Sequence, residues 1–172
     1  MNAFDNAGYT NCYGCGARVL DEDGPTHRYL GASPGCWAIY GAVLARSSAD
    51  AAWGDDRLLI LNSYCAQHPG VPGPQATQSV CVHLIGLYVA LERGYDSTRV
   101  TTALRRAADG SRRFYWLEPP ADRYVVNIRD VYDAPDTSAH QAVARAMAET
   151  TWAAWAAHRA QIETWAAALG LR

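Results

Sequence analysis

The stretch QSVCVHLIGLYVALER, Gln78 to Arg93, decides the fold. Val80, Leu84, Leu87 and Leu91 recur at helical spacing, and Cys81, Val82, Ile85 and Val89 cover most of the remaining circumference, so the segment reads as a helix buried on nearly every side. Gly94 terminates it. Such a helix needs other helices around it, and the flanking sequence supplies them. Upstream, Asp55 or Asp56 caps a helix that Pro69-Gly70 ends, with Leu58, Leu61, Cys65 and His68 along one side. Further upstream, Ser33-Pro34 opens a helix carrying Trp37, Tyr40, Val43 and Leu44, with Ser33 as cap and Pro34 at the first helical position. Downstream, a short helix runs from a Ser97 cap to Ala108. The longest runs from Thr137 or Ser138 to Leu169, where His140, Met147, Thr151, Trp155, His158, Ile162, Trp165 and Leu169 fall within an arc of about 90°. The segment 114–128 reads as two short extended pieces around Pro119-Pro120, with Tyr124 to Ile128 the best strand candidate. The expectation is a mainly α chain: a four-helix-bundle-like core with an irregular N-terminal cysteine knuckle. It forms a single domain, 1–172, in which 9–36 is a cysteine-rich metal-binding lobe and 37–169 the helical bundle.

The chain has 172 residues, 49% hydrophobic, with a net charge of −2. That size suffices for an ordinary core without disulfides or an obligatory metal. All 15 basic residues are Arg, which excludes lysine Schiff-base chemistry and a P-loop. Acids outnumber bases, and the densest basic run, Arg105, Arg106, Arg112 and Arg113, is interrupted by Asp109, so nucleic acid is not an expected partner. Met1 to Thr10 carries no basic or apolar leader, and the uncharged stretch Pro69 to Leu91 is broken by prolines, Gln and His, so neither secretion nor a membrane is expected. A cytoplasmic setting follows, in which an odd count of five Cys means thiols or metal ligands in preference to disulfides.

Three of those cysteines lie in the first 36 residues. Cys12-Tyr13-Gly14-Cys15-Gly16 places two thiolates in one tight turn, half of a tetrahedral zinc site. Cys36, at the first turn of the Ser33-capped helix, is the natural third ligand, and His27 or His68 the fourth. A redox dithiol competes, but it needs a helix directly after the pair, and 16–24 reads as loop. Cys65 and Cys81 read as core thiols. His68, His83 and His158 lie on three different helices and are expected to converge, with Asn62, Gln67, Gln78 and Thr151 as polar neighbours. His140 reads as an exposed residue near a helix start.

Taken together, CYGCG (12–16), SPGCW (33–37), YCAQHPG (64–70), QSVCVHLIGL (78–87), WLEPP (116–120) and TWAAWAAHR (151–159) resemble the DUF5946 family of uncharacterised bacterial proteins, from Cys12 to about Trp165. The resemblance implies a polar core of Cys12, Cys15, Cys36, His68, His83 and His158, and favours His68 over His27 as fourth ligand. It also implies two departures: Asn62 stands where the family pattern has Asp, and Arg159 replaces the second residue of a His-His pair. Architecture alone is similar to the DinB-like metal-dependent thiol transferases.

Two functions follow. One is a zinc-binding helical protein with a small-molecule ligand, in which a Cys3His site (Cys12, Cys15, Cys36, His68) ties the lobe to the bundle. The other is a metal-dependent hydrolase or transferase with His83 and His158 as catalytic residues beside a face of Trp152, Trp155 and Trp165. The tryptophan-rich last helix also permits a homodimer.

Overall fold

A computed structural model describes residues 8–54, 56–110, 113–122 and 124–171. Asp55, Arg112 and most of the Met1 to Thr10 stretch lie outside the described residues. The chain is mainly helical. Two short strands, β1 (Tyr9–Asn11) and β2 (Arg18–Leu20), are followed by helices α1 (Pro34–Ala49), α2 (Arg57–Gln67), α3 (Pro74–Leu91), α4 (Ser97–Ala108), α5 (Ile128–Asp133), α6 (Thr137–Ala154) and α7 (Arg159–Ala168), with single 3-10 turns at Ala51–Trp53 and Ala156–His158.

The apolar circumference read at 78–93 belongs to α3, which packs against α2, α4, α6 and α7. Val80, Cys81, Leu84, Ile85, Leu87 and Val89 are all buried. Pro74 at the first helical position starts α3 a turn earlier than the sequence pattern indicates, because its missing amide costs nothing there. α2 packs on α3 and α6, while α1 packs on α5 and on β2 and reaches α2 through a ring stack, Tyr40 on Tyr64, with centroids 3.9 Å apart.

The lobe is more regular than expected. β1 and β2 pair antiparallel, Thr10 opposite Val19, and the loop between them carries the C-x2-C pair. Only Val19 of these strands is fully buried, so there is almost no alternation for a sequence reading to detect. Three expected caps differ. Ser33 makes no side-chain cap bond, while Asp96 and Asp136, not Ser97 and Thr137 or Ser138, accept from the first-turn amides of α4 and α6. Among the described residues, 114–128 forms no strand; it crosses the bundle as irregular chain, anchored where Gln67 Nε2 donates to the Val126 carbonyl and Tyr124 Oη to the Ala66 carbonyl. Asn127 and Asp130 then form a capping box that starts α5.

The long final helix is broken. The Thr150 and Thr151 hydroxyls donate back to the Ala146 and Met147 carbonyls, which weakens the helix ladder one turn before the break. Trp155, fully buried, donates its indole N–H to Tyr124 Oη 3.0 Å away, and the backbone tightens into the 3-10 turn before α7 resumes. The apolar stripe survives: Met147, Thr151, Trp155, Ile162 and Trp165 are all buried.

Candidate metal centre

Three elements deliver the centre. The hairpin loop presents Cys12 and Cys15, the first turn of α1 presents Cys36, and His68 caps the C-terminus of α2. All four residues are 0% exposed, and their ligand atoms lie within 4.8 Å of one another. Among the described residues this is the one group of His, Cys, Asp or Glu so arranged. Cys15 Sγ lies 3.8 Å from Cys36 Sγ, and His68 Nε2 lies 3.5 Å from Cys12 Sγ and 3.4 Å from Cys36 Sγ. A tetrahedral zinc with usual bond lengths of about 2.3 Å to sulfur and 2.0–2.1 Å to nitrogen has S···S edges of about 3.8 Å and S···N edges of about 3.6 Å. These three separations match the tetrahedral edges, the other pairs lie within 4.8 Å, and Cys15 and Cys36 stand far beyond the S–S bond of about 2.0 Å that a disulfide needs. All five cysteines are free.

The imidazole is oriented as a ligand would be. His68 Nδ1 lies 2.7 Å from the Tyr64 carbonyl oxygen, an acceptor only, so Nδ1 carries the proton and Nε2 presents its lone pair to the sulfurs. Tyr64 contributes twice: its hydroxyl donates to Cys36 Sγ at 3.7 Å, and its ring packs 4.1 Å from the His68 ring. Hydrogen bonding from the Cys15 thiol, then from Cys36, holds the Cys12 sulfur far below the usual thiol range. The same bonding to Cys12 pushes Cys15 far up and Cys36 up to about 12. Three thiolates in one buried space repel, so they ionise together only around a cation.

Glycines make the close approach feasible. A Cβ on Gly14 would lie 2.3 Å from the Gly31 carbonyl oxygen and 2.5 Å from His68 Cδ2, so only glycine lets the hairpin loop lie flat on the end of α2. Gly70 has φ +72° and sits where a side chain would strike the Tyr29 carbonyl oxygen at 2.4 Å.

Of the two candidates for the fourth position, His68 joins the cysteines and His27 does not; the His27 ring packs against Tyr29 and Trp37. Cys65 and Cys81 are buried in the core, outside the group, and burial pushes both thiols up to about 12. The three bundle histidines do not share partners. His83 Nδ1 lies 2.8 Å from Asn62 Oδ1, whereas His158 Nε2 lies 2.8 Å from the Glu118 carbonyl oxygen. Gln67 donates to Thr151 and Gln78 to the Ala108 carbonyl, so neither serves His68. His140 is 0% exposed, contrary to its reading as a surface residue: the 3-10 turn covers it with Trp53, and Arg46 donates to its Nδ1. Burial first, then the Arg46 charge, lowers its pKa. Trp152, Trp155 and Trp165 are core residues, not the wall of an open face. One contributor escaped the sequence reading, Tyr64; it lies one helical turn before His68, a spacing that brings its carbonyl and ring to the imidazole and is the signal that was available for it.

The family model of DUF5946, a family of unknown function, matches residues 10–156. The chain belongs to this family. The matched span of this DUF5946 member includes all four ligand residues together with His83 and ends before His158. No curated protein and no solved structure matches the chain. Among the described residues, no helix is long and apolar enough to cross a membrane.

Proposed function

We propose that Cys12, Cys15, Cys36 and His68 hold one structural zinc ion, and that this DUF5946 member is a cytoplasmic zinc-binding protein whose helical body takes a small-molecule ligand. The reading is carried by one observation: four buried ligand atoms within 4.8 Å of one another, with three of the separations at the edge lengths of a thiolate-imidazole tetrahedron. Soft thiolates with one imidazole suit zinc, whereas hard cations prefer oxygen. Four protein ligands leave no open position for water or substrate, and closed sites of this kind serve structure. Zinc here would staple the hairpin and the start of α1 to the end of α2, in a region whose own strands are three residues each.

The hydrolase or transferase alternative needs an open coordination position. No second ligand group among the described residues supplies one, so the structural reading is preferred.

Elemental analysis of protein purified without a chelating tag tests the proposal. One zinc per chain is expected, retained in His83→Ala and lost in Cys15→Ser. Cobalt(II) substitution should give the intense visible bands of a tetrahedral thiolate site. Purified wild-type protein that neither contains zinc nor takes up cobalt would overturn the reading.

A further inference from the structure

His83 and Asn62 form a polar pair that the metal centre does not use. Asn62 is 0% exposed on α2 and faces α3, where Gly86 lies one turn beyond His83. A Cβ on Gly86 would come within 2.6 Å of Asn62 Nδ2 and 2.8 Å of its Oδ1, so the absent side chain is the notch that admits the amide. Within that notch Asn62 Oδ1 accepts from His83 Nδ1, while Asn62 Nδ2 is buried without a partner. A buried amide donor left unpaired is costly and calls for an explanation. The visible task is to fix one tautomer: with the proton on Nδ1, His83 Nε2 carries the lone pair.

That nitrogen has no hydrogen-bond partner among the described residues, and the His83 side chain is partly buried. His83 lines a cleft of about 350 Å³ between the start of α3, the end of α4 and Tyr29, together with Gln75, Gln78 and Ser79. The volume is at the small end of the range for ligand sites, roughly 300–1,000 Å³. Among the described residues no Asp, Glu or Arg lines it, so an ionic ligand would meet no counter-ion from them. Among the described residues the Gln75 and Ser79 side chains make no hydrogen bond, and Gln78 spends only its amide N–H₂, on Ala108.

We propose that this cleft binds a small uncharged molecule bearing an O–H or N–H group, an alcohol, phenol or primary amide, which donates to His83 Nε2 while Ser79 and the Gln75 and Gln78 amides engage its remaining polar atoms. Burial keeps the imidazole uncharged at neutral pH, with its pKa pushed down to about 4, consistent with an acceptor and not with an anion site. Asn62 and Gly86 are positioning residues, acting through His83. The proposal rests on the small-molecule part of the function proposed above and not on the zinc.

The test is nitrogen-15 NMR of histidine side chains in the full-length, zinc-loaded protein at neutral pH, with His83 assigned through His83→Gln. The Nδ1–H tautomer is expected for His83. Phenol and acetamide, titrated separately, should give saturable shifts at Nε2 with at least one of them, and sodium acetate and methylammonium chloride should not. Asn62→Ala and Gly86→Ala should each weaken that binding about tenfold, the worth of one orienting hydrogen bond of about 1.4 kcal/mol, without loss of zinc. An Nε2–H tautomer in wild type, or no saturable response to either neutral probe while one zinc stays bound, would overturn the proposal. A His83 response in protein that holds no zinc would support this site and sink the metal reading alone.

Discussion

Replacing Gly14 with alanine adds one carbon and two hydrogens where the hairpin loop meets the end of α2. The new Cβ would stand 2.3 Å from the Gly31 carbonyl oxygen and 2.5 Å from His68 Cδ2, with the Gln67 carbonyl oxygen at 3.3 Å. Ordinary contact begins near 3.5 Å, so the hairpin loop or the imidazole must retreat by roughly 1 Å. Neither can do so freely: one obstacle is backbone, and the other is a ring held by the Tyr64 carbonyl at Nδ1 and by the sulfurs at Nε2. Overpacking of this kind costs about 1–3 kcal/mol. In a chain of this length that lowers Tm by about 4–10 °C. Because the displaced ring carries the nitrogen ligand, zinc transfer to a colorimetric chelator should be about tenfold faster, the equivalent of about 1.4 kcal/mol. Gly41→Ala is the matched control. Gly41 is exposed in the middle of α1 with nothing within 4 Å of its would-be Cβ, so the same substitution should stabilise by about 0.5–1 kcal/mol. Calorimetry and chelator competition on both variants decide the matter. Wild-type Tm and wild-type zinc release in Gly14→Ala would refute the packing of the loop on His68.

Tyr64→Phe removes the hydroxyl that donates to Cys36 Sγ while leaving the ring in place; zinc affinity should fall about tenfold with little change in fold, measured by competition against a calibrated chelator. His83 carries a pH signature. Its pKa is about 4 in the folded chain against 6.5 unfolded, so between those values the unfolded state binds the extra proton. The contribution is therefore intact above about pH 6.5 and is lost as pH falls towards 4, amounting to about 3 kcal/mol at most, and the loss should be absent from His83→Gln when denaturant midpoints are compared with zinc in excess. Asn127→Ala breaks the capping box of α5 and should cost about 1 kcal/mol by chemical denaturation; unchanged stability would mean that the box is not formed in solution.

The bundle was legible because α3 carries its burial in its own composition: apolar residues on every side can only be interior. The ligand set was legible in part. Cys12 and Cys15 announce themselves by spacing and Cys36 by its place at a helix start, but choosing between His27 and His68 is a matter of tertiary distance, and only the approach of the hairpin loop to the end of α2 decides it. The convergence of His68, His83 and His158 was read from helical faces, which give an angular position and no depth along the bundle; the three rings bond to three different residues, Tyr64, Asn62 and Glu118. The hairpin and the capping box of α5 went unread for opposite reasons. The strands are too exposed to show alternation, and the box is too short to stand out from irregular chain. The break after α6 has no proline or glycine to mark it, since it arises from two threonines turning back on the ladder and one tryptophan pulled into the core.

The order of the four ligands along the chain bears on biosynthesis. The last of them is His68, and the partners of α2 that come later, α3 and α6, add nothing to the ligand set. A growing chain therefore holds all four candidate ligand residues before α3 to α7 have been made. Capture at that stage would close a loop from Cys12 to His68, lower the entropy of the emerging segment, and shield three reactive thiols from oxidation before the helices that bury α2 exist. In such a chain, zinc supply during translation, and not only after release, would set the yield of correctly folded protein.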